Sequence, residues 1–343
     1  MHWASLRAAT DYRRYVSQRI CINGFNKMKR IPIKPFSLAL VITAILVLAY
    51  IYILPSLRER PENITLGKEW SGHLDEHQTF SAKPPGDPAK IIFTYADSSD
   101  ENLRLLRDTC DLKTIAGQGS EIDQIINLTR WVYNLTGHAN NPKFPKEINA
   151  FTVIRMATVE NRTINCYLKT VVLNEVFLSM GYASRQTHLL PHSHEEDESH
   201  FITSVYSRTL GKWLWMDPDF GVYLTDKKGT VLGYPEIRKR LISGDPLVEH
   251  GLRTDNGVLS KVWELFICWV EAADYQWYLS KNIFKVRCQQ VSMFNQRSNP
   301  DKVYVELIPD GYRDELLNTV VTTERRKTIY INDEQLFWQA PSR

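Results

Sequence analysis

Apolar residues recur at helical spacing over the segment that starts at Cys166. The apolar residues that fall on one side of such a helix are Leu168, Val171, Val172, Val176 and Met180. Asn165, just before this segment, is a favourable N-cap, and Gly181, just after it, is a favourable helix stop. The pattern therefore predicts an amphipathic helix with Cys166 in its first turn.

Two alternating runs further along the chain predict a β-hairpin. The first begins at His200 (HFITSVY) and the second ends at Asp217 (KWLWMD), with the turn-prone stretch 207–211 between them. Pairing the strands about a centre near residue 209 places residue 200 opposite 217 or 218. Opposed residues of an antiparallel pair share one face, about 5 Å apart. The pattern therefore predicts that the His200 imidazole and the Asp217 carboxylate meet.

Shorter patterns predict the remaining elements of a mixed α and β domain. Ser120, followed by Asp123 at capping-box spacing, predicts the start of a helix. The other predicted elements are a strand over 91–95, helices over 100–107 and 234–243, and strands over 303–308 and 328–331.

Residues 35–57 carry no charge, and residues 36–54 are almost wholly apolar. At about 1.5 Å per residue, a helix of this length spans the roughly 30 Å core of a bilayer. Basic residues are frequent before this segment and sparse after it, so the N-terminus is expected in the cytoplasm. We therefore predict a single-pass protein of the cytoplasmic membrane. Its large domain then lies outside the cytoplasm, in the periplasm if the cell is a Gram-negative bacterium.

A cleaved signal peptide is the competing interpretation of this apolar segment. The run is long for a signal peptide, and no small-x-small cleavage site follows Leu54, which favours a retained signal anchor. Met28 begins a short basic lead typical of export signals and is an alternative start of the chain.

The composition is that of an ordinary globular protein. Of 343 residues, 43% are hydrophobic and 24% are charged, and the formal net charge of +3 does not indicate nucleic-acid binding. The predicted organisation is a basic cytoplasmic segment (1–34), a transmembrane signal anchor (35–57), a linker rich in Pro and Gly (58–90), a main domain (91–250), and an aromatic-rich helix with a small β extension packed on that domain (251–343).

Cys166, His200 and Asp217 supply the three groups of a cysteine-nucleophile triad. The positive end of a helix dipole stabilises a thiolate, which is the nucleophilic form of cysteine. A base beside the nucleophile and a carboxylate that orients the base complete the set that acyl transfer requires. Asp219 is an alternative third member, although the strand-end position and the adjacent Pro218 favour Asp217. The competing interpretation is an unreactive core cysteine, a hydrogen-bonded histidine and a turn aspartate.

The ordered motifs between Cys166 and Gly221 resemble the transglutaminase-like superfamily, which has a papain-like fold. The matching motifs are the helix opened by Cys166, Gly181 to Arg185 (GYASR), the strand opened by His200, and Trp213 to Pro218 (WLWMDP). The resemblance implies an α+β fold whose nucleophile helix packs on an antiparallel sheet, within 91–250. It also implies that Cys166, His200 and Asp217 are catalytic and that no metal or organic cofactor is needed.

The activity implied by this resemblance is thiol-dependent acyl transfer on a protein or peptide, and a cell-wall peptide is one candidate. Water as the acyl acceptor gives a peptidase or amidase, whereas an amine gives a transglutaminase; the residues leave both open. The alternative is a catalytically silent binding or scaffold module at the cell envelope.

Two further clusters have both a functional and a structural interpretation. His188, His192, His194 and His200, with the acidic residues 195–198, offer metal ligands, but their spacing matches no established metal loop, so a solvated acidic loop is favoured. The aromatic segment 262–279 is either a stacking surface for a carbohydrate or peptide, or a helix packed on the core, and the packed helix is favoured.

Overall fold

The computed structural model of the chain describes residues 72–81, 91–193, 199–252, 275, 278–323 and 326–342. These residues have the predicted α+β architecture and belong to one compact unit, Trp70–Arg343. The predicted signal anchor over 35–57 lies outside the described residues. Among the described residues, no helix has both the length and the apolar character needed to cross a bilayer.

A seven-stranded sheet forms the centre of the unit. Its strands are β2 (Ser184–Leu190), β3 (His200–Ser207), β4 (Lys212–Met216), β7 (Lys285–Gln289), β9 (Val303–Leu307), β10 (Val320–Thr322) and β11 (Lys327–Ile331). Their order is β10–β11–β9–β7–β2–β3–β4, so the strands after residue 284 extend the same sheet beyond β2. Neighbours are antiparallel except β9 and β11. The predicted antiparallel sheet is therefore mixed, because the connection from residue 308 to 326 is long enough for a parallel return.

Helices and two small strand pairs surround this sheet. The helices are α1 (Glu101–Thr109), α2 (Leu112–Ala116), α3 (Glu121–Tyr133), α4 (Ala150–Thr158), α5 (Cys166–Ser179), α6 (Tyr234–Ser243) and α7 (Glu334–Phe337). The pairs are β1 (Thr94–Tyr95) with β8 (Val291–Ser292), and β5 (Val222–Thr225) with β6 (Val248–Gly251). Within the described residues the predicted helices and strands are present, although the strand predicted over 91–95 is reduced to β1.

The helix that carries Cys166 is buried on all sides. Every residue of α5 from Leu168 to Ser179 is buried, because β2 and β3 cover one side and α1, α3 and α4 cover the others. The prediction of an amphipathic helix is therefore wrong, since the positions expected to face water are covered by other helices. Glu175 shows the consequence: its carboxylate accepts the backbone N–H groups of Ala150 and Asn295 at 2.7 and 2.9 Å, and burial raises its pKa to about 8.

The predicted helix caps are confirmed. The Asn165 side chain accepts the backbone N–H of Leu168 at 3.1 Å and so fixes Cys166 as the first residue of α5. Ser120 and Asp123 form the reciprocal capping box at the start of α3.

Arg185, the arginine of the GYASR motif, lies in the core on the sheet face opposite α5. The neighbouring Gln186 donates hydrogen bonds to α5, and successive strand residues point to opposite faces. The Arg185 guanidinium carbon lies 3.9 Å from the ring centroid of Phe93 and 4.1 Å from that of Trp213, and its Nη1 donates to the Phe337 carbonyl at 2.6 Å. These contacts give this motif residue a packing role.

Candidate active site

Cys166 is the first residue of α5 and is partly exposed, whereas the helix is buried from Leu168 onward. The amides of a first helical turn have no acceptor within the helix, and they form the positive end of the dipole. The thiol therefore sits where backbone N–H groups are available to an anion. The cap, the helix start and the partial exposure together place a nucleophile at the accessible end of an otherwise buried helix.

His200, the first residue of β3, is hydrogen-bonded to Asp217, which follows β4. The His200 Nε2 to Asp217 Oδ2 distance is 2.6 Å, and both side chains are buried. The predicted meeting of the two groups is therefore present in the structure.

The register of the hairpin differs from the predicted one. Thr203 pairs with Met216, so the same register continued outward would place residue 200 opposite 219, not opposite 217 or 218. Residues 218–220 form a turn, so the strand register ends before it reaches residue 219. Asp217 contacts His200 directly, and the turn brings an Asp219 carboxylate oxygen within 4.8 Å of a His200 ring nitrogen.

The Asp217 carboxylate is held by four hydrogen-bond donors. Its Oδ1 accepts the backbone N–H groups of Asp219 and Phe220 at 2.9 and 3.0 Å. Its Oδ2 accepts from His200 and also from the Tyr275 hydroxyl, at 3.0 Å. The sequence pattern missed Tyr275, which lies inside the aromatic segment interpreted as a packed helix.

These contacts favour a charged His200–Asp217 pair. Burial alone would lower the pKa of His200, but the adjacent Asp217 carboxylate outweighs it and raises that pKa well above its ordinary value. Burial likewise opposes ionisation of Asp217, but the charge of His200 and the hydrogen bonds lower the pKa of Asp217. A buried imidazolium is therefore supported by a carboxylate that stays ionised.

The Cys166 thiol lies close to the His200 imidazole. Nε2 of the His200 ring is hydrogen-bonded to Asp217, so Nδ1 is the nitrogen that remains for the sulfur. Cys166 Sγ, a His200 ring nitrogen and an Asp219 carboxylate oxygen all lie within 4.8 Å of one another. The three residues predicted from the sequence are thus brought together, and Asp219 joins them.

Asp219 has charged partners of its own. Its Oδ2 lies 2.8 Å from His138 Nδ1, and its Oδ1 forms an ion pair with the buried Lys169 Nζ at 3.3 Å. His138 Nε2 in turn lies 2.7 Å from Asn140 Oδ1. The sequence pattern indicated neither His138 nor Lys169 as part of the site. The available signal was Lys169 itself, a lysine three residues after Cys166 in a mostly apolar helix.

Aromatic rings enclose the histidine. The ring centroids of Phe220 and Tyr278 lie 5.3 and 5.4 Å from that of His200. Such packing excludes water from one side of the imidazole and strengthens its interaction with Asp217. Phe220 is also 44% exposed, so it lies at the boundary between the site and solvent.

The other predicted candidates lie apart from this cluster. His188 is stacked on Phe201, with ring centroids 3.9 Å apart, and accepts from Arg287 at 2.8 Å. His192 is stacked on His73 at 4.1 Å. His194 and the acidic residues 195–198 lie outside the described residues, as does most of the aromatic segment 262–279.

No protein-family model and no curated protein matches the chain. A solved structure described as "a Putative Cysteine Protease from Cytophaga hutchinsonii" aligns with 54% of this chain and 63% of its own, at 12% sequence identity and a TM-score of 0.27. At that TM-score, the similarity gives no information about the fold or the function of this chain. What the chain itself presents is a half-buried thiol within 4.8 Å of a ring nitrogen of a buried histidine that is paired with a carboxylate.

Proposed function

We propose that this protein is a transglutaminase-like cysteine enzyme that transfers the acyl group of an amide in a protein or peptide. The observation that carries the proposal is the cluster in which the Cys166 sulfur lies within 4.8 Å of a His200 ring nitrogen and His200 is hydrogen-bonded to Asp217. A thiol nucleophile, its base and the carboxylate that orients the base are the minimum machinery of this chemistry.

In the first half of the reaction, Cys166 Sγ attacks the amide carbonyl carbon, and the thiol proton is held by His200. The Cys166 backbone N–H, at the positive end of α5, donates to the oxyanion. His200 then protonates the leaving amine as the C–N bond breaks, which leaves an acyl thioester on Cys166. Asp217 keeps Nε2 engaged, so that Nδ1 faces the sulfur throughout.

In the second half, His200 removes a proton from the acyl acceptor as it attacks the thioester. The Cys166 thiolate leaves and regains its ion pair with His200. Water gives a hydrolysed product, whereas a primary amine gives a new amide. Both outcomes are chemically compatible with the site.

The predicted signal anchor over 35–57 places this enzyme, in our proposal, on the outer side of the cytoplasmic membrane. The support is the uncharged apolar segment and the excess of basic residues before it. Peptides and proteins of the cell envelope are then the accessible substrates, with a cell-wall peptide as one candidate.

The test uses dimethylated casein with a fluorescent primary amine, and compares the wild-type protein with Cys166→Ser. Incorporated fluorescence reports transamidation, ammonia release reports hydrolysis of glutamine amides, and new peptide termini report peptide cleavage. We expect at least one product from the wild type and none from Cys166→Ser. The absence of all three products, or equal yields from both proteins, would instead support a silent binding module.

A further inference from the structure

The cluster of Cys166, His200 and Asp219 contains three metal-ligating groups of different chemistry. Their sulfur, nitrogen and oxygen atoms lie within 4.8 Å of one another, and they come from the first turn of α5, the start of β3 and the loop after β4. A thiolate, an imidazole and a carboxylate form a donor set that Zn²⁺ and Co²⁺ accept.

Asp219, and not Asp217, is the third donor. Both oxygens of Asp217 already accept two hydrogen bonds each. Asp219 Oδ1 is buried and accepts no hydrogen bond, although it is ion-paired with Lys169 at 3.3 Å. A cation beside the thiol would give this carboxylate a further partner at little cost to its existing contacts.

The charges around the cluster favour a divalent ion. The Cys166 thiolate and the carboxylates of Asp217 and Asp219 give the cluster three negative charges, against one buried cation, Lys169, which is paired with Asp219. When His200 is neutral, as a metal ligand must be, two negative charges are left unmatched. Unmatched charge in a buried site is costly, and one divalent cation neutralises it.

The three donor atoms need to move only slightly to bind one zinc ion. Zinc binds nitrogen and oxygen at about 2.0–2.2 Å and sulfur at about 2.3 Å, so tetrahedral donors lie roughly 3.3–3.8 Å apart. The donor atoms now lie at most 4.8 Å apart. Side-chain rotations that move the Cys166 sulfur and the Asp219 oxygen by about 1 Å bring them into that range. The Asp217–His200 hydrogen bond then has the carboxylate–histidine–metal arrangement that commonly supports a metal ligand.

We propose that Cys166, His200 and Asp219 bind one divalent transition-metal ion of the Zn²⁺ or Co²⁺ type, and that the bound ion blocks the thiol. In the metal-free state, the sulfur and the His200 imidazole share one proton. That proton is released to solvent when both atoms coordinate the ion, and the sulfur electron pair that would attack the substrate is donated to the metal. The binding stands on the three donors alone, whereas the blocking rests on the proposed function.

The test titrates the reduced full-length protein with Co²⁺ under anaerobic conditions. We expect a thiolate-to-cobalt charge-transfer absorption that saturates at one ion per chain, with one proton released and with loss of the absorption when Zn²⁺ is added. Cys166→Ser should abolish the absorption. Asp219→Asn should weaken Co²⁺ affinity at least about tenfold. The exposed Asp301→Asn is the matched control and should bind as the wild type does.

Two results would overturn the site: no charge-transfer absorption in the wild type, or unchanged affinity in a folded Asp219→Asn variant. If that variant does not fold, alkylation of wild-type Cys166 by iodoacetamide decides. Zn²⁺ should protect the thiol and Mg²⁺ should not, so equal labelling in the two ions contradicts the proposal. Metal binding without any casein product would contradict only the proposed function, and casein products without metal binding would contradict only this metal site.

Discussion

Asp217 and Asp219 are two residues apart and lie on the same side of His200, but their surroundings differ. Asp217 is fully enclosed, and four donors, one of them His200, fix both of its oxygens. Asp219 does not share the His200 Nε2 bond; it is paired with His138 and with Lys169. One of its oxygens accepts no hydrogen bond, and the carboxylate lies within reach of the Cys166 sulfur.

The difference shows that residue type and strand register alone do not assign a catalytic role. Both aspartates satisfy the sequence pattern, and the register continued outward would even favour residue 219. The assignment is decided by the number and identity of the donors around each carboxylate. Asp217 is built to hold an imidazolium, and Asp219 is built as a charged group beside the sulfur.

The largest expected effect comes from Asp217→Asn. The neutral amide cannot support the His200 imidazolium, so turnover in the casein assay should fall at least about 10³-fold. The matched change Asp219→Asn should reduce turnover less, because His200 keeps its Asp217 partner. An equal or larger loss in Asp219→Asn would make Asp219 the third triad member.

Lys169→Met tests the charge balance around Asp219. The change removes one partner of a buried ion pair and should lower the free energy of unfolding by about 3 kcal/mol, measured by urea titration. Lys212→Met breaks the more exposed pair with Glu236 and should cost less than about 1 kcal/mol. Equal losses would show that the Lys169–Asp219 pair does not compensate a buried charge.

The pH dependence of the free energy of unfolding tests whether the His200–Asp217 pair is charged. Because the folded state lowers the pKa of Asp217, its stabilisation is present above the ordinary value of 3.8 and is lost as pH falls through the lowered pKa. Because the folded state raises the pKa of His200, its stabilisation is present below 6.5 and is lost as pH rises through the raised pKa.

Wild type should therefore exceed Asp217→Asn in stability most between these two ordinary values, by about 2 kcal/mol. The difference should shrink at more acidic and at more alkaline pH. Urea titrations at a series of pH values measure it. A difference that is constant from acid to alkaline pH would mean that the pair is not charged.

The smallest expected effect is that of Tyr275→Phe. The change removes one of the four donors to Asp217 and leaves Trp215 Nε1 without its acceptor, so unfolding should cost about 1 kcal/mol less. Tyr206→Phe is the control, since the Tyr206 ring packs on Trp213 and that packing survives loss of the hydroxyl. If both changes have the same effect on thermal unfolding, Tyr275 does not help to hold Asp217.

The sequence predicted the parts of the site that depend on local structure. Asn165 defines the start of α5 through a contact three residues away, and a short turn joins the strands that carry His200 and Asp217. The long-range partners were not predictable. Tyr275 lies 58 residues from Asp217, and His138 lies 81 residues from Asp219, so no local period connects them. The same holds for β7, which joins the edge of β2 from about a hundred residues away.

The burial of α5 was missed for a related reason. Its polar residues predicted a solvent-facing side, but those residues find partners in other elements. Asn174 donates to Ser292, and Glu175 accepts from Ala150 and Asn295. A polar position predicts exposure only when no distant group supplies the hydrogen bond.

The measurement that tests the central claim most directly is the pH dependence of iodoacetamide alkylation at Cys166, with the wild type and His200→Ala compared side by side. We predict rapid labelling of the wild type well below about pH 8.5, the ordinary titration point of a free thiol, and loss of that low-pH labelling in His200→Ala. Slow labelling that follows an ordinary thiol titration and is indifferent to His200 would contradict an activated Cys166–His200 pair.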